Sequence, residues 1–530
     1  MDRTLSRLAT MSLHRSRIFS LSSLLRRITT RTITRFIRSF APALCFILIF
    51  YLCRLLWLDK MAGAWSPAFP VPRTVFVLIL VATPLWGLFM ASFYPLRRLI
   101  LWLWIRLQNF RHFRYRRTPS ALPIALQRFM SDLGEDPAMK NLGYGEWAVY
   151  VGYLSLTVLG LYGLWTYEQP VDHRFKPDVN LANNMPKRAG YGTGQKIFIA
   201  AMFHNNYDVL PYWINQMTRL IYYLGPDNVF VSVLESYSSD NSPVLLDGFD
   251  RWLEEMNIAH RILTRDTSLM RPESMNTAPP RIRFLAASRN RVMQPLVERG
   301  GYERVIFSND VFVEAESIVE LLNTKGGNYD MACGLDLSYW GLFDQWVIRD
   351  RLGRIASTLW PYFLEDSGFR AVMADEPAPV FTCWNGIVSI RADPFLPPHL
   401  RTGQLSLSPL ATPLPPTHPA YPQPANLTPA ATPPLRFRAS AKHECFSSES
   451  FNLPYDLRRQ FGLQRIYVNP RVINSYVWAH YVWFKYITRH WAVKWWIEKV
   501  ENGNGIHLAK LVLGDPARVW QWDGGECHPG

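Results

Sequence analysis

The chain has 530 residues, enough for two to four domains at the usual roughly 100–200 residues each. Its 48% apolar and 19% charged residues exclude a disordered polyelectrolyte, while 30 glycines without a triplet period and only six cysteines exclude collagen and a small disulfide scaffold. The formal charge of +15 resides in residues 1–146, which hold 21 Lys/Arg against 6 Asp/Glu, and the rest of the chain is balanced at 36 of each, so a nucleic-acid-binding body is not expected.

Residues 1–40 form a basic tail with nine arginines and one acid, Asp2. Residues 41–166 read as a membrane region with up to three transmembrane helices: Ala41 to Leu58, interrupted by Arg54, then Thr74 to Tyr94, then Trp147 to Trp165. Nine Lys/Arg lie in residues 95–146, against three charged residues in 59–73. Lys/Arg-rich segments stay cytoplasmic, so three crossings put residues 167–530 in the lumen, and a single crossing does the same. A mitochondrial transit peptide is the competing reading of the basic tail. The body also carries an Asn426-Leu427-Thr428 sequon and four cysteines, Cys333, Cys383, Cys445 and Cys527, an even number with no zinc-ligand spacing.

Residues 167–195, rich in Pro, Asn and Gly, read as a stem, with Gly190-Tyr-Gly-Thr-Gly194 as a flexible hinge because a strand follows it. From Lys196 the pattern alternates. Strands are expected at 196–203, 228–234, 259–263, 303–307 and 329–334, and helices at 209–224, 243–256 and 281–297. Such alternation predicts βαβ units and a parallel sheet covered on both faces. Ligand sites in such sheets lie at the strands' carboxyl ends, which lines up His204, Asn205, Glu235, Asp310 and Asp336 along one rim. No GxGxxG, GxxxxGK[ST], HExxH or GxSxG occurs. Residues 397–434 hold 12 of the 39 prolines and read as an exposed disordered insertion. The five tryptophans between Tyr476 and Trp496 read as a packed C-terminal lobe in preference to a membrane-facing helix, and residues 501–530 as a tail.

The stretches HNN (204–206), VSVLESYSSDNSP (231–243), RIRFLAASRN (281–290), FSNDVF (307–312), YDMACGLDLS (329–338), DQWVIRD (344–350), TCWNG (382–386) and FRAS…SSES…YDL (437–457) occur in this order. In them the chain resembles the fungal capsule-associated α-1,3-mannosyltransferases, glycosyltransferase family 69, from about Lys196 to Tyr481. The resemblance implies a nucleotide-diphospho-sugar (GT-A-like) Rossmann-type α/β sheet as a catalytic domain over 196–396 and 435–500. It implies a membrane-anchored, Golgi-type enzyme that transfers mannose from GDP-mannose to a mannoside or polysaccharide, with α-1,3 linkage and retention. A divalent cation, Mn²⁺ or Mg²⁺, would be held by Asp310, since such ions prefer oxygen ligands. Glu235, Ser236, Arg289, Asn290 and Asn309 would hold the nucleotide sugar. Asp336 and Glu449 would be the catalytic carboxylates, and Trp384 and Asn385 would contact the acceptor. Three features depart from the family pattern: members usually carry one N-terminal anchor where three apolar runs occur here, the acidic motif often reads Ser-Glu-Cys where Ser450 here follows Glu449, and the Pro-rich insertion separates the CWNG stretch from Glu449. The alternative function is a non-catalytic membrane protein of polysaccharide assembly or export.

Overall fold

The computed structural model describes residues 170–338, 341–408, 433–441 and 446–487. All belong to one of two compact units of the chain. The basic tail, the three apolar runs, the sequon at Asn426, and residues 488–530 lie outside the described residues. Among the described residues no helix is long and apolar enough to cross a membrane.

The strands are β1 (Ile197–Phe203), β2 (Val229–Glu235), β3 (Ala259–Leu263), β4 (Arg304–Ser308), β5 (Met331–Ser338), β6 (Gly341–Leu342), β7 (Arg349–Asp350), β8 (Ala378–Thr382), β9 (Ile387–Arg391) and β10 (Ile466–Asn474). The helices are α1 (Lys176–Asn184), α2 (Leu210–Leu224), α3 (Ser242–Glu255), α4 (Pro279–Arg299), α5 (Ala315–Leu322), α6 (Asp366–Met373), α7 (Glu449–Phe461) and α8 (Trp478–Val482). They build one sheet in the order β3-β2-β1-β4-β9-β5-β10-β8-β7, with β6 beside β5.

β1 and β2 are apolar almost throughout because both faces are covered. Phe198, Ala200, Phe230 and Leu234 turn toward Ala286, Val292, Met293 and Leu296 of α4. Phe203, of opposite parity, meets Trp213 of α2 edge-on at 4.9 Å. Trp213 in turn donates its indole N–H to the Ser308 hydroxyl at 3.0 Å, tying α2 to the end of β4. The disulfide Cys333–Cys383 joins β5 to the residue after β8.

The expected all-parallel sheet needs correction. β3, β2, β1 and β4 are parallel, but β9 runs antiparallel between β4 and β5, and β8 antiparallel to β10. β8 and β10 contain Pro379 and Pro470, and β10 shifts register between Val468 and Ile473, so neither shows a strand's plain pattern. The stem is also more ordered than its composition suggests. Its residues form α1, packed on α2, and the backbone N–H groups of Tyr191 and Gly192 donate to the Tyr223 carbonyl at 2.7 and 3.2 Å. A Cβ on Gly190 would lie 2.4 Å from Gly225 N, so Gly190 serves close backbone packing and not a free hinge. The flanks of the Pro-rich segment are anchored as well: Ser408 N–H donates to the Gln460 carbonyl at 2.7 Å and Leu435 N–H to the Pro394 carbonyl at 2.8 Å. Residues 409–432 lie outside the described residues. At the C-terminal end Trp478 and Tyr481 pack against Tyr212.

Candidate active site at the carboxyl rim of the sheet

Register sets the rim. Phe203 pairs with Glu235 and Ala201 with Ser308, so the chain leaves β1, β2 and β4 side by side. Because β9 is antiparallel to β4, with Ile387 opposite Ser308, the residues that precede β9 arrive at the same edge. β10 pairs Asn474 with Asp336 and delivers Tyr476 there too.

A cavity of about 510 Å³ opens at this edge. His204, Asn206 and Ser236 line it from β1 and β2, and Asn309 and Asp310 from β4. Arg289 enters from α4 and Glu449 from the first turn of α7. Phe343, Asp344, Trp384 and Tyr476 close the far wall, and Arg271 and Arg281 stand on the side of the loop before α4.

Asp310 is only partly shielded and faces this cavity. Asn206 donates to its Oδ2 at 2.7 Å. Burial pushes its carboxyl pKa above the ordinary range, against the pull of Asn206, Arg289 and His204. Among the described residues no ion pair engages this carboxylate, and an oxygen-liganded divalent cation suits such a group.

Arg289 and Glu449 form a buried pair, Nε to Oε1 at 3.0 Å, across 160 residues. The guanidinium sits over the Trp384 ring at 4.6 Å and also donates to Asn309 Oδ1 over a long 3.4 Å. Glu449 heads α7, whose N-cap Ser448 accepts from Phe451 N–H at 3.1 Å, so the helix start favours the carboxylate. Its second oxygen, Oε2, is buried without a partner, and Asp336 Oδ2 and Asn385 Oδ1 share that condition. Unsatisfied buried polar atoms are rare in folded proteins, and three of them belong to residues of this rim.

Asp336 is fully buried behind the cavity wall, where Asn385 Nδ2 donates to its Oδ1 at 2.7 Å. Burial and then the charge of Asp344 push its pKa well up. Asp344 is on the cavity itself, and burial followed by the charge of Glu449 pushes its carboxyl up to about 6. Tyr476 accepts from Asn309 Nδ2 at 2.9 Å through its hydroxyl.

The cavity therefore gathers Ser236, Arg289, Asn309, Asp310, Trp384 and Glu449 from the expected set. Five expectations change, the first being Asp336, which is buried behind the cavity wall and does not line it. Glu235 is fully buried, and its two oxygens accept from the backbone N–H groups of Ser238 at 2.9 Å and Arg265 at 2.7 Å, so it braces loops and does not meet a nucleotide. Asn290 clamps the backbone of Phe437 through both amide atoms, at 2.8 and 3.0 Å. Asn385 is buried between Asp336 and the Asp344 carbonyl, at 2.7 and 3.3 Å, and positions carboxylates where acceptor contact was expected. The Trp384 ring is only 1% exposed, held by Arg289, Phe307 and Phe437, which leaves no open face for a sugar. Asp344 and Tyr476 were missed as site residues. Asp344 opens the DQWVIRD stretch, which was the available signal, whereas Tyr476 follows a strand that the sequence pattern does not show.

A second titratable cluster lies elsewhere. Among the described residues His173, Glu314 and Glu316 are spaced for a metal. The ammonium of Lys485 already lies 2.7 Å from Asp172 Oδ2 and 3.2 Å from Glu314 Oε2, so a side-chain cation supplies that charge.

Residues 196–456 match the family model described as Cryptococcal mannosyltransferase 1. This region is similar to the capsule-associated mannosyltransferases. Alpha-1,3-mannosyltransferase CMT1 of Cryptococcus neoformans is 27% identical over 216 residues, which cover 36% of this chain and 45% of that protein. The chain thus spans less than half the length of this relative. Among solved structures, S. aureus TarS 1-349 is 10% identical with a TM-score of 0.28, covering 53% of this chain and 60% of that one. A longer S. aureus TarS structure is 11% identical with the same TM-score, covering 53% and 36%.

Proposed function

We propose that the protein is a mannosyltransferase that moves mannose from GDP-mannose to a mannoside or polysaccharide hydroxyl, forming an α-1,3 linkage with retention on a GT-A-like sheet. The observation that carries this reading is Asp310. It is a partly buried carboxylate held by Asn206, facing a cavity at the carboxyl rim, inside the segment that matches the mannosyltransferase family model.

In this reading Asp310 holds Mn²⁺ or Mg²⁺, which supplies charge neutralisation for the departing diphosphate. Asn206 fixes the Asp310 carboxylate through its 2.7 Å bond, so the oxygen facing the cavity stays in place. Arg271 and Arg281 offer further positive charge on the cavity's flank. Arg289 spends its Nε on Glu449 and presents the remaining guanidinium beside Asn309. Glu449 keeps one oxygen for an oxocarbenium-like centre or a sugar hydroxyl.

The reading also places the body in the lumen of the secretory pathway behind an N-terminal membrane anchor. The Cys333–Cys383 disulfide supports an oxidising compartment.

The test is a donor panel with the full-length chain. GDP-mannose, GDP-glucose, UDP-glucose and UDP-xylose are offered with free mannobiose, with and without Mn²⁺. Mannose transfer from GDP-mannose that is lost in Asp310→Ala is expected. Transfer from another donor, or none from any, overturns the assignment.

A further inference from the structure

Besides Asp310, the site holds three carboxyl groups of different standing. Asp336 is fully buried and does not line the cavity. Glu449 lines it, but one of its oxygens is already engaged by Arg289 at 3.0 Å. Asp344 lines the cavity and is partly exposed to it.

The loop that carries Asp344 is rigidly built. Arg349, fully buried, donates from one Nη1 to the carbonyls of Gln345, Trp346 and Ile348 at 3.0, 3.1 and 2.7 Å. Asn385 donates to the Asp344 carbonyl at 3.3 Å and to Asp336 at 2.7 Å, which locks the two acidic residues together. Phe343 N–H donates to the Asp336 carbonyl at 3.0 Å. A surface loop seldom recruits a buried arginine merely to shape a turn, and here the arginine shapes the turn that aims an acid into the cavity.

We propose that Asp344 is a further catalytic residue, the carboxylate that takes the proton of the attacking acceptor hydroxyl. The acceptor O–H bond breaks and its proton passes to Asp344. The oxygen's electron pair forms the new bond to the anomeric carbon on the same face from which the diphosphate departs, as retention requires. The bond from that carbon to phosphate breaks, and its pair leaves on the nucleoside diphosphate.

The charged groups that face Asp344 are Glu449 and Asp336, which hold its proton more tightly, and Arg349, which loosens it; backbone N–H groups of Trp346 and Val347 do likewise. Burial is the largest effect, and together with these charges it pushes the carboxyl up to about 6, close to neutral working pH, as general-base work requires. The apparent value in a rate profile belongs to the whole acidic trio.

The proposal rests on the transferase reading above, and the experiment separates the two. Full-length wild-type chain, Asp344→Asn, Asp344→Glu and Asp344→Ala are assayed with GDP-mannose and mannobiose from pH 4.5 to 8.5, and thermal melts check folding. Asp344→Asn is expected to lose roughly 10²–10⁴-fold in kcat with the GDP-mannose KM within threefold, the usual size of a general base's contribution. Asp344→Glu is expected to shift the acid limb of the wild-type profile, and added formate to restore part of the activity of Asp344→Ala. An Asp344→Asn enzyme within about fivefold of wild type, or one with only a raised KM, overturns this proposal alone. No transfer by wild type overturns the transferase reading and this proposal with it.

Discussion

Asn309 donates its backbone N–H to the carbonyl of Gly386 at 2.8 Å, binding the end of β4 to the turn that precedes β9. The contact places the Asn309-Asp310 pair and the Trp384-Asn385 pair on one rim although 75 residues separate Asn309 from Trp384. Gly386 itself has φ +80°, and a Cβ there would lie 1.9 Å from Asn474 Oδ1. Gly386→Ala is therefore expected to destabilise the fold by about 2 kcal/mol or more and to weaken donor binding. Urea unfolding and GDP-mannose calorimetry check both outcomes, and an unchanged midpoint contradicts the steric argument.

Asp310→Ala should separate function from stability. The native carboxyl sits above its ordinary pKa because burial disfavours its charge, so its removal should leave the melting temperature unchanged or slightly raised. Transfer should fall below detection in the same preparation. Mn²⁺ should raise the melting temperature of wild type in the presence of GDP, and should not do so in the variant.

The acidic pair makes a signed prediction about pH. Asp344 titrates at about 6 in the folded chain against 3.8 ordinarily, and Asp336 is also raised. The folded state then binds more protons than the unfolded one between these values, so stability contributed by the protonated form is lost as pH rises from about 4 to about 6. For Asp344 the cost above that window is about 3 kcal/mol at most. Asp336→Asn should flatten the slope and be more stable than wild type at pH 7.5, with the difference fading near pH 4. Chemical denaturation across pH measures it.

Asp456 behaves in the opposite sense. It is fully buried, accepts from Arg438 Nε at 2.6 Å and Nη2 at 3.0 Å, and is also bonded by Arg459. Burial raises its pKa, but the two guanidinium groups more than offset this and hold it below the usual range, so its stabilisation is present above pH 4 and lost as pH falls further. Asp456→Ala leaves two arginines without their shared anion and should cost about 3–5 kcal/mol, read as a shift in denaturant midpoint.

The Cys333–Cys383 bridge closes a separation of 50 residues between β5 and the approach to the rim. Replacing both cysteines with alanine should cost about 2–4 kcal/mol. Mass spectrometry of the protein recovered from its native compartment without reductant should find the pair oxidised. A fully reduced pair would count against a lumenal body.

Half of the sheet was legible in the sequence. β1, β2 and β4 are uninterrupted apolar runs flanked by helical patterns, and their polar successors His204, Ser236 and Asp310 fall on the rim as the α/β rule requires. The other half was not, because Pro379 and Pro470 break the signal of β8 and β10 and the Pro-rich segment divides β9 from β10. Residue type alone also could not separate Glu235 from Glu449. Both are acids next to secondary-structure ends, and only the third dimension shows that backbone N–H groups occupy one and an arginine the other. Asn290 and Asn385 mislead for the same reason, since an amide that holds a neighbouring loop has the composition of one that holds a ligand.

The ammonium of Lys485, inserted between Asp172 and Glu314, carries a topological consequence. Positions 172 and 485 touch although 313 residues separate them, so the first and last described segments of this unit are fastened to each other by one buried ion pair. Loss of the Lys485 ammonium therefore loosens both of these segments at once.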